Sequence, residues 1–239
     1  MNNEVINQLA PNGALKAGIY LGNFLLVTSK DNQGNPEGVS PDLAYAIAKS
    51  LNVKIQLIPF DTQGELVEAV AKGICGIGLV GSDPDRAQKI TFAPAYVEIE
   101  ATYLVPPNSP LNIIEFVDTP GVRIASFKKS AYDLWLVRNI KNASLVHADT
   151  LEASVDLFFN EKLDALAGLK TGLIKDSKRL PGSTVLDGQF MAVQQGVATA
   201  KENLQSIEFL SRFVQDAKQS GLIASFIKKH KVNGLSVAA

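Results

Sequence analysis

A segment that joins a predicted strand to a short helix carries the clearest candidate for ligand chemistry. At Gly81 the backbone can turn, and Ser82 or Asp83 is expected to cap the helix that Pro84 begins. Arg86 then lies in the first turn, close to backbone N–H groups that lack a partner within the helix. A guanidinium can pair with both oxygens of a carboxylate. The spacing therefore indicates a seat for a small anion.

The same spacing has a simpler interpretation. Arg86 could form an ion pair with Asp83 or Asp85 on the protein surface, because all three residues are neighbours along the chain. Surface pairs of this kind are common and need no ligand. Spacing alone leaves both interpretations open.

A second candidate site lies in the other half of the chain, after another predicted strand. Ser130 is expected to cap the following helix, with Asp133 three residues on in a capping-box arrangement. Lys129 precedes the serine, and Tyr132 lies in the first turn of the helix. Capping alone would explain the serine, so its role in binding a ligand stays a hypothesis at this point.

Other polar and aromatic residues are less specific. Asn23 and Phe24 follow the first predicted strand and a glycine, so both are expected to overlook a ligand, although Phe24 could belong to the core instead. Trp135 sits among apolar residues of a predicted helix, which favours packing. Glu98 and Glu100 alternate on a strand, which is typical of a solvated face. No pair of carboxylates suited to acid–base catalysis is evident.

The composition excludes several classes of function. The chain has 239 residues, of which 46% are hydrophobic and 20% charged, and a net charge of −1, so neither nucleic acid nor an anionic membrane is an expected partner. A single cysteine, Cys75, cannot form an intramolecular disulfide and is predicted to be buried. His147 and His230 lie in separate elements without carboxylates at a suitable spacing, so neither a metal site nor a Ser-His-Asp site is expected. No cofactor is implied.

The chain offers no sequence signal for a membrane or for export. It contains no stretch of about 18 apolar residues. Its first residues lack the basic start and apolar core of a secretory signal. Either a signal has been removed and the protein is periplasmic or extracellular, or the protein is cytoplasmic.

Strand-like and helix-like patterns alternate along the chain and predict an α/β fold. Ser40 is the predicted N-cap of the clearest helix, with Pro41 at its first position and Asp42 in its first turn. Strands are expected over 15–20, 53–59, 77–80, 101–105, 122–127, 144–148, 164–168 and 191–197. Further helices are expected over 65–72, 150–162, 171–179, 204–219 and 222–229 and after Ser130.

The pattern breaks at a proline-rich segment over 106–110 and then begins again. Two extended crossings, near Tyr103 and Ala192, predict two lobes joined by two strands. Lobe 1 would be discontinuous, comprising 1–102 and 193–239, and lobe 2 would comprise 103–192. Ligands of open α/β sheets bind beyond the carboxyl ends of the strands. Two such lobes could close on a solute.

The chain resembles the type II periplasmic solute-binding proteins, specifically the family-3 group that serves amino-acid ABC transporters. The resemblance rests on three segments: 38–48 (GVSPDLA, then AIA), 83–96 (DPDRA, then ITFAPAY) and 163–165 (LDA). It extends over nearly the whole chain, from about residue 15 to residue 229. It implies a two-lobed fold with mixed sheets flanked by helices and two hinge strands.

The resemblance also assigns roles. It implies that Arg86 holds the carboxylate of the solute and that Ser130 contacts the same carboxylate. It implies an ABC permease as the partner, and we expect a monomer that binds a small anionic or zwitterionic solute.

The chain departs from the family where the rest of the ligand would be recognised. Gly22-Asn23-Phe24-Leu25 replaces a proline-rich turn, and Leu169 stands where amino-acid binders place an aspartate for the ammonium group. A leucine cannot pair with an ammonium ion, and burying that charge alone costs several kcal/mol. The ligand is therefore expected to carry a carboxylate and could lack an α-amino group.

Two alternatives remain from the sequence. The same fold hosts cyclohexadienyl dehydratases, which would need an acid in the cleft, and Glu161 and Asp164 are the nearest candidates. A sensor domain of a larger signalling protein is the other alternative, and the basic segment 228–231 does not favour it because no membrane helix follows. We expect a receptor rather than an enzyme.

Overall fold

The structure is a computed structural model and describes residues 3–239. The chain forms two compact units. Unit 1 contains the chain up to Glu98 and again Gln194–Ala239, and unit 2 contains Ile99–Val193. That these units act as the two lobes of a receptor stays a prediction.

Strands and helices alternate through both units. The strands are β1 (Ala14–Tyr20), β2 (Ser29–Lys30), β3 (Pro36–Glu37), β4 (Lys54–Phe60), β5 (Ile77–Gly81), β6 (Ile90–Phe92), β7 (Val97–Val105), β8 (Arg123–Phe127), β9 (Ser144–Ala148), β10 (Ala165–Leu169), β11 (Thr184–Val185), β12 (Met191–Ala200) and β13 (Ser236–Val237). The helices are α1 (Asn3–Leu9), α2 (Val39–Leu51), α3 (Gln63–Ala71), α4 (Pro84–Ala87), α5 (Ala131–Asn139), α6 (Leu151–Asn160), α7 (Lys170–Asp176), α8 (Leu204–Gln219) and α9 (Leu222–Lys229), with short 3₁₀ turns at Ile114–Phe116 and Ser177–Arg179.

Unit 1 is built on a mixed sheet. Strand β1 runs parallel to both β4 and β5, and β12 runs antiparallel to β5 and β6. The core under this sheet is continuous and includes Leu15 and Ile19 of β1 and Ile77 of β5, each fully buried. Helix α2 covers it with the face predicted from helical spacing, because Leu43 and Ile47 are also fully buried. The sheet therefore fixes the end of β5, where the first candidate segment begins.

The start of α2 differs from the prediction. The helix begins at Val39, Gly38 is its N-cap, and Ser40 lies inside the first turn. Gly38 has a φ of 150°, and a β-carbon there would lie 2.2 Å from the carbonyl oxygen of Leu26, so only glycine fits. Ser40 does not cap the helix but points inward, with its Oγ 2.8 Å from the hydroxyl of Tyr96. The predicted N-cap is therefore wrong by two positions.

The strands of unit 2 also pair in a mixed arrangement, as part of the same 11-stranded sheet. Strand β10 runs parallel to β8 and antiparallel to β7, and β9 extends the sheet parallel to β8. Helix α6 packs on it through Val155 and Phe158, which are buried with Leu166 of β10 and Leu173 of α7. The carboxyl end of β8 delivers the chain to the start of α5, where the second candidate site lies.

Several smaller predictions have clear outcomes. Cys75 is buried, as expected, and burial raises the pKa of its thiol to about 11. Trp135 packs on Phe190 at a ring-centroid distance of 5.3 Å, which confirms its structural role. Helix α1 was not predicted. Over residues 3–239, none of the helices is both long and apolar enough to cross a membrane.

Candidate functional site

The first candidate segment folds as its residue types indicate. Strand β5 ends at Gly81, and α4 begins at Pro84 with Asp83 as its N-cap. The Asp83 carboxylate accepts a hydrogen bond from the N–H of Asp85 at 2.9 Å. The predicted cap and helix start are therefore confirmed, and Asp83 rather than Ser82 is the capping residue.

The Arg86 side chain is buried, with 7% of its surface exposed. Its Nη1 donates a hydrogen bond to the carbonyl oxygen of Gly81 at 2.6 Å. Burial lowers the pKa of the guanidinium to about 10, and the charges of Asp83, Tyr20 and Asp85 oppose that shift. Arg86 is therefore not an exposed surface residue, while the charges of Asp83 and Asp85 still act on its guanidinium.

The backbone around Arg86 is held by the neighbouring strand. Gly81 pairs with Gln195 in the ladder between β5 and β12, and the N–H of Ser82 donates to the carbonyl oxygen of Gln194 at 2.7 Å. Glu98 then accepts a hydrogen bond from the Gln194 side chain at 2.9 Å. These contacts fix the position of the carbonyl that orients the guanidinium.

Tyr20 is a candidate residue that the sequence did not suggest. It ends β1 and lies close enough to Arg86 for the two charges to interact. Burial raises the pKa of its hydroxyl, while a hydrogen bond with Gln63 and the charge of Arg86 act in the opposite direction. Its ring lies over Gly22, where a β-carbon would meet the Tyr20 hydroxyl at 2.2 Å. The glycine after the strand was the available signal for this packing.

Asn23 and Phe24 lie in the turn after β1. The Asn23 side chain accepts a hydrogen bond from the N–H of Leu25 at 3.2 Å, and its carbonyl accepts one from Leu26 at 3.0 Å. Asn23 is therefore a turn-forming residue. Phe24 is 40% exposed, so the alternative that it belongs to the core is wrong.

The second candidate site is built at the start of α5. Ser130 is the N-cap, and its Oγ accepts a hydrogen bond from the N–H of Asp133 at 3.1 Å. In a capping box the Asp133 carboxylate would accept a hydrogen bond from the N–H of Ser130. Here it accepts instead from the N–H of the preceding residue, Lys129, at 2.8 Å. The N–H of Ser130 donates instead to the carbonyl of Phe127 at 3.2 Å. Ser130 and Tyr132 are buried, and Lys129 is exposed.

Leu169 ends β10 and is the N-cap residue of α7, which has no side-chain cap. Lys170 follows it, and its ammonium group lies 2.7 Å from the carboxylate of Glu100. The helix begins at Lys170, one residue before the predicted start. The structure places Leu169 partly exposed at the carboxyl end of its strand.

The remaining candidates for chemistry have structural partners. Asp164 accepts a hydrogen bond from the N–H of Arg123 at 2.8 Å, and Glu161 is exposed at the end of α6. Both histidines contact aspartates distant in sequence: His147 lies 3.0 Å from Asp133 and His230 lies 2.8 Å from Asp42. The spacing of carboxylates along the chain gave no indication of these two contacts.

The described part of the chain, residues 3–239, shows no group of three or more His, Cys, Asp or Glu side chains arranged to hold a metal ion. In unit 2 a concavity of about 540 Å³ is lined by Pro107, Phe159, Lys162 and Arg179 among others, and Asp164 is the one acidic residue in its lining.

The chain belongs to the bacterial extracellular solute-binding proteins, family 3, because residues 20–233 match the model of that family. No curated protein matches the sequence.

Solved structures share the fold. A putative binding component of an ABC transporter from Wolinella succinogenes, complexed with lysine, is 21% identical with a TM-score of 0.76, covering 91% of this chain and 95% of that one. The cysteine-binding protein of Campylobacter jejuni is 19% identical with a TM-score of 0.74, and the match covers 96% of this chain and 93% of that one. An ancestral amino acid-binding protein, described as a precursor of cyclohexadienyl dehydratase, is 19% identical with a TM-score of 0.75. The match covers 94% of this chain and 97% of that one. The predicted type II fold of mixed sheets flanked by helices is thus confirmed.

Proposed function

We propose that this protein is the receptor of an ABC importer and binds a small solute through its carboxylate. The buried guanidinium of Arg86 at the end of β5 is the observation that carries the proposal. Membership of family 3 supports the general function, and the Wolinella and Campylobacter proteins, which bind lysine and cysteine, support an amino acid or a related acid as the ligand class.

The physical argument concerns the cost of burying Arg86. Its lowered pKa of about 10 means that the charged form is less stable here than in water. The carbonyl of Gly81 accepts one hydrogen bond, and the charges of Asp83 and Asp85 oppose only part of the shift. A bound carboxylate would add a further negative charge beside the guanidinium and accept two parallel hydrogen bonds. Ligand binding would thereby offset part of the free energy that it costs to bury this charge.

Ser130 is the proposed second contact. It lies at the start of α5, a helix of nine residues whose N-terminus favours a negative charge. Its Oγ accepts a hydrogen bond from Asp133, so its hydroxyl proton remains able to donate to a carboxylate. Lys129 and Tyr132 would flank that contact, and Gly81, Ser82 and Asp83 would frame the arginine. A solute that contacts both units would favour a closed state over an open one, since closure adds contacts.

The opposite end of the ligand is proposed to differ from that of an ordinary amino acid. Leu169 offers no acceptor for an ammonium group, and the adjacent Lys170 is a cation paired with Glu100. An α-ammonium group near these residues would lose its hydration without a partner. A carboxylate-bearing solute without that group, such as an organic acid, fits better. Asn23 and Phe24, in the turn after β1, would contact this end.

The remaining parts of the proposal follow from the family. The partner would be an ABC permease, the receptor would act outside the cytoplasmic membrane, and it would bind the solute as a monomer. No observation on the described residues favours a dehydratase, because Asp164 is engaged with the backbone of Arg123.

The proposal is tested by isothermal titration calorimetry with the twenty L-amino acids and with the 2-oxo and unsubstituted acids of the same side chains. Arg86→Met removes the guanidinium with little change in length. Arg212→Met is the matched control, because Arg212 is an exposed residue of α8 that pairs with Glu208 at 3.4 Å.

We expect at least one acid to bind, with an affinity reduced by about 100-fold or more in Arg86→Met, which corresponds to losing a charge-assisted pair. The control should bind as the unmodified protein does. Tight binding of an ordinary α-amino acid that Arg86→Met leaves unchanged would contradict the proposed carboxylate site and ligand class together.

A further inference from the structure

The turn that precedes Ser130 has an unusual backbone conformation. Lys129 has a φ of +62°, in the left-handed region that side chains other than glycine rarely adopt. That conformation costs about 1 kcal/mol for a residue with a β-carbon. The turn also aims the N–H of Lys129 at the start of α5, where it donates to Oδ2 of Asp133 at 2.8 Å. The local sequence alone would not favour this geometry, so its neighbours must stabilise it.

Asp133 connects this turn to the adjacent strand. Its side chain is 3% exposed, and its second oxygen, Oδ1, lies 3.0 Å from Nε2 of His147 on β9. Its backbone N–H donates to Oγ of Ser130 at 3.1 Å. One buried residue therefore contacts Lys129, Ser130 and His147 through three different atoms. The sequence indicated Asp133 only as a capping partner of Ser130 and gave no role to His147.

We propose that Asp133 and His147 are positioning residues for the solute site. Asp133 holds the Lys129–Ser130 turn in the conformation that presents the Ser130 hydroxyl, and His147, with Nε2 3.0 Å from Oδ1, limits the movement of that carboxylate. This inference rests on the proposed function, because it assumes that Ser130 contacts the solute. It goes further by assigning the geometry of that contact to two residues that do not touch the solute.

The contacts explain why the arrangement would matter for affinity. When Oδ2 is removed, the N–H of Lys129 loses its acceptor and the left-handed turn loses its support. The turn can then relax to a right-handed conformation, which displaces the hydroxyl of Ser130. Binding would afterwards have to restore the turn, and the free energy for that would come from the ligand.

The first experiment needs no ligand. Amide hydrogen exchange of Lys129 is measured by NMR on protein labelled with ¹⁵N-lysine, for the unmodified protein, Asp133→Ala and Asp133→Asn. Asparagine retains an oxygen that can accept from Lys129, whereas alanine does not. Asp118→Ala is the matched control in the same unit, because Asp118 also accepts backbone hydrogen bonds, at 2.7 Å from Asn142 and 2.9 Å from Ala143, but in a different loop.

The expected result is an exchange rate for Lys129 at least about 10-fold faster in Asp133→Ala, from the loss of one charge-assisted hydrogen bond. Asp133→Asn should remain within about 3-fold of the unmodified protein, and Asp118→Ala should leave Lys129 unchanged. Unchanged exchange at Lys129 in Asp133→Ala would overturn the proposal. Because the readout is local, a general loss of stability is recognised by faster exchange at the other lysines as well.

The second experiment measures binding with the same panel of amino acids and organic acids. Asp133→Ala should weaken the tightest of these compounds by about 10-fold, His147→Ala by less, and Asp133→Asn should restore most of the affinity. If the unmodified protein binds and Asp133→Ala binds equally well, the positioning role fails alone. If the unmodified protein binds none of the compounds, the proposed function itself fails.

Discussion

Replacing Arg86 by methionine should remove solute binding without lowering the stability of the ligand-free protein. Burial is the chief reason that the pKa of Arg86 is lowered from its usual value to about 10. At about 1.4 kcal/mol per pKa unit, the charged side chain destabilises the fold by about 3 kcal/mol. The unfolded chain keeps this proton up to a higher pH than the folded chain does, so the cost is fully present below pH 10. It disappears only as the pH rises above about 10.

Methionine at this position avoids that cost but introduces another. The carbonyl of Gly81 loses the donor that now lies 2.6 Å away, and a buried acceptor without a partner costs about 1–3 kcal/mol. The sum predicts that the free energy of unfolding of Arg86→Met is between equal to and about 2 kcal/mol above that of the unmodified protein. Burying a cation at a ligand site would then be an example of stability sacrificed for function.

Urea unfolding of ligand-free protein at pH 7, followed by circular dichroism, measures this difference. Arg212→Met, which removes an exposed arginine of α8, should change the free energy of unfolding by less than about 0.5 kcal/mol. If Arg86→Met loses more than about 2 kcal/mol, Arg86 is a structural residue whose charge is already compensated. The argument from burial would then be refuted.

Three further predictions test separate parts of the structure. Leu169→Asp should raise the affinity for an α-amino acid relative to its 2-oxo acid by about 10-fold or more, measured by calorimetry, because it supplies an acceptor for the ammonium group. The buried contact of Ser40 with Tyr96, at 2.8 Å, predicts that Ser40→Ala and Tyr96→Phe each destabilise the fold by about 1–3 kcal/mol in urea unfolding. The double variant should lower the free energy of unfolding by less than the sum of the two single effects. Burial raises the pKa values of Tyr20, Tyr96 and Tyr103, so these groups contribute stability below pH 10 that is lost at higher pH. The absorbance at 295 nm due to these three of the five tyrosines should therefore rise only with unfolding. A rise equivalent to more than two tyrosinates before any loss of circular dichroism would contradict this.

Much of the fold follows from local patterns in the sequence. Helices α8 and α9 were predicted at their observed bounds, because their apolar residues recur at helical spacing and Gly221 separates them with a φ of +75°. Strand β9 also has its predicted bounds. The short helix at Arg86 was predicted because Asp83 and Pro84 are strong local signals for a helix start. These features depend on residues that are close together in the chain.

The features that were missed depend on contacts between distant residues. Helix α1 is held by Gln8, whose side chain bonds to Gln205 and Ser206, almost two hundred positions further along the chain. Ser40 was predicted as an N-cap because Pro41 and Asp42 follow it. Its observed partner, Tyr96, is 56 positions away, so the local sequence gave no sign of that contact. Spacing along the chain gives no indication of such partners.

The same limit applied to the candidate sites. His147 and Asp133 belong to different elements, and only the pairing of β8 with β9 places that strand beside the start of α5. The burial of Arg86 likewise depends on its tertiary neighbours. Its residue type and position in the chain suggested an anion site but could not distinguish that site from a surface ion pair.

A crystal structure of the protein with the tightest-binding acid tests the central claim most directly. The account predicts one carboxylate of the solute with an oxygen about 2.7–2.9 Å from a guanidinium nitrogen of Arg86, and with the hydroxyl of Ser130 donating to the same carboxylate. A solute whose carboxylate contacts neither residue would contradict it.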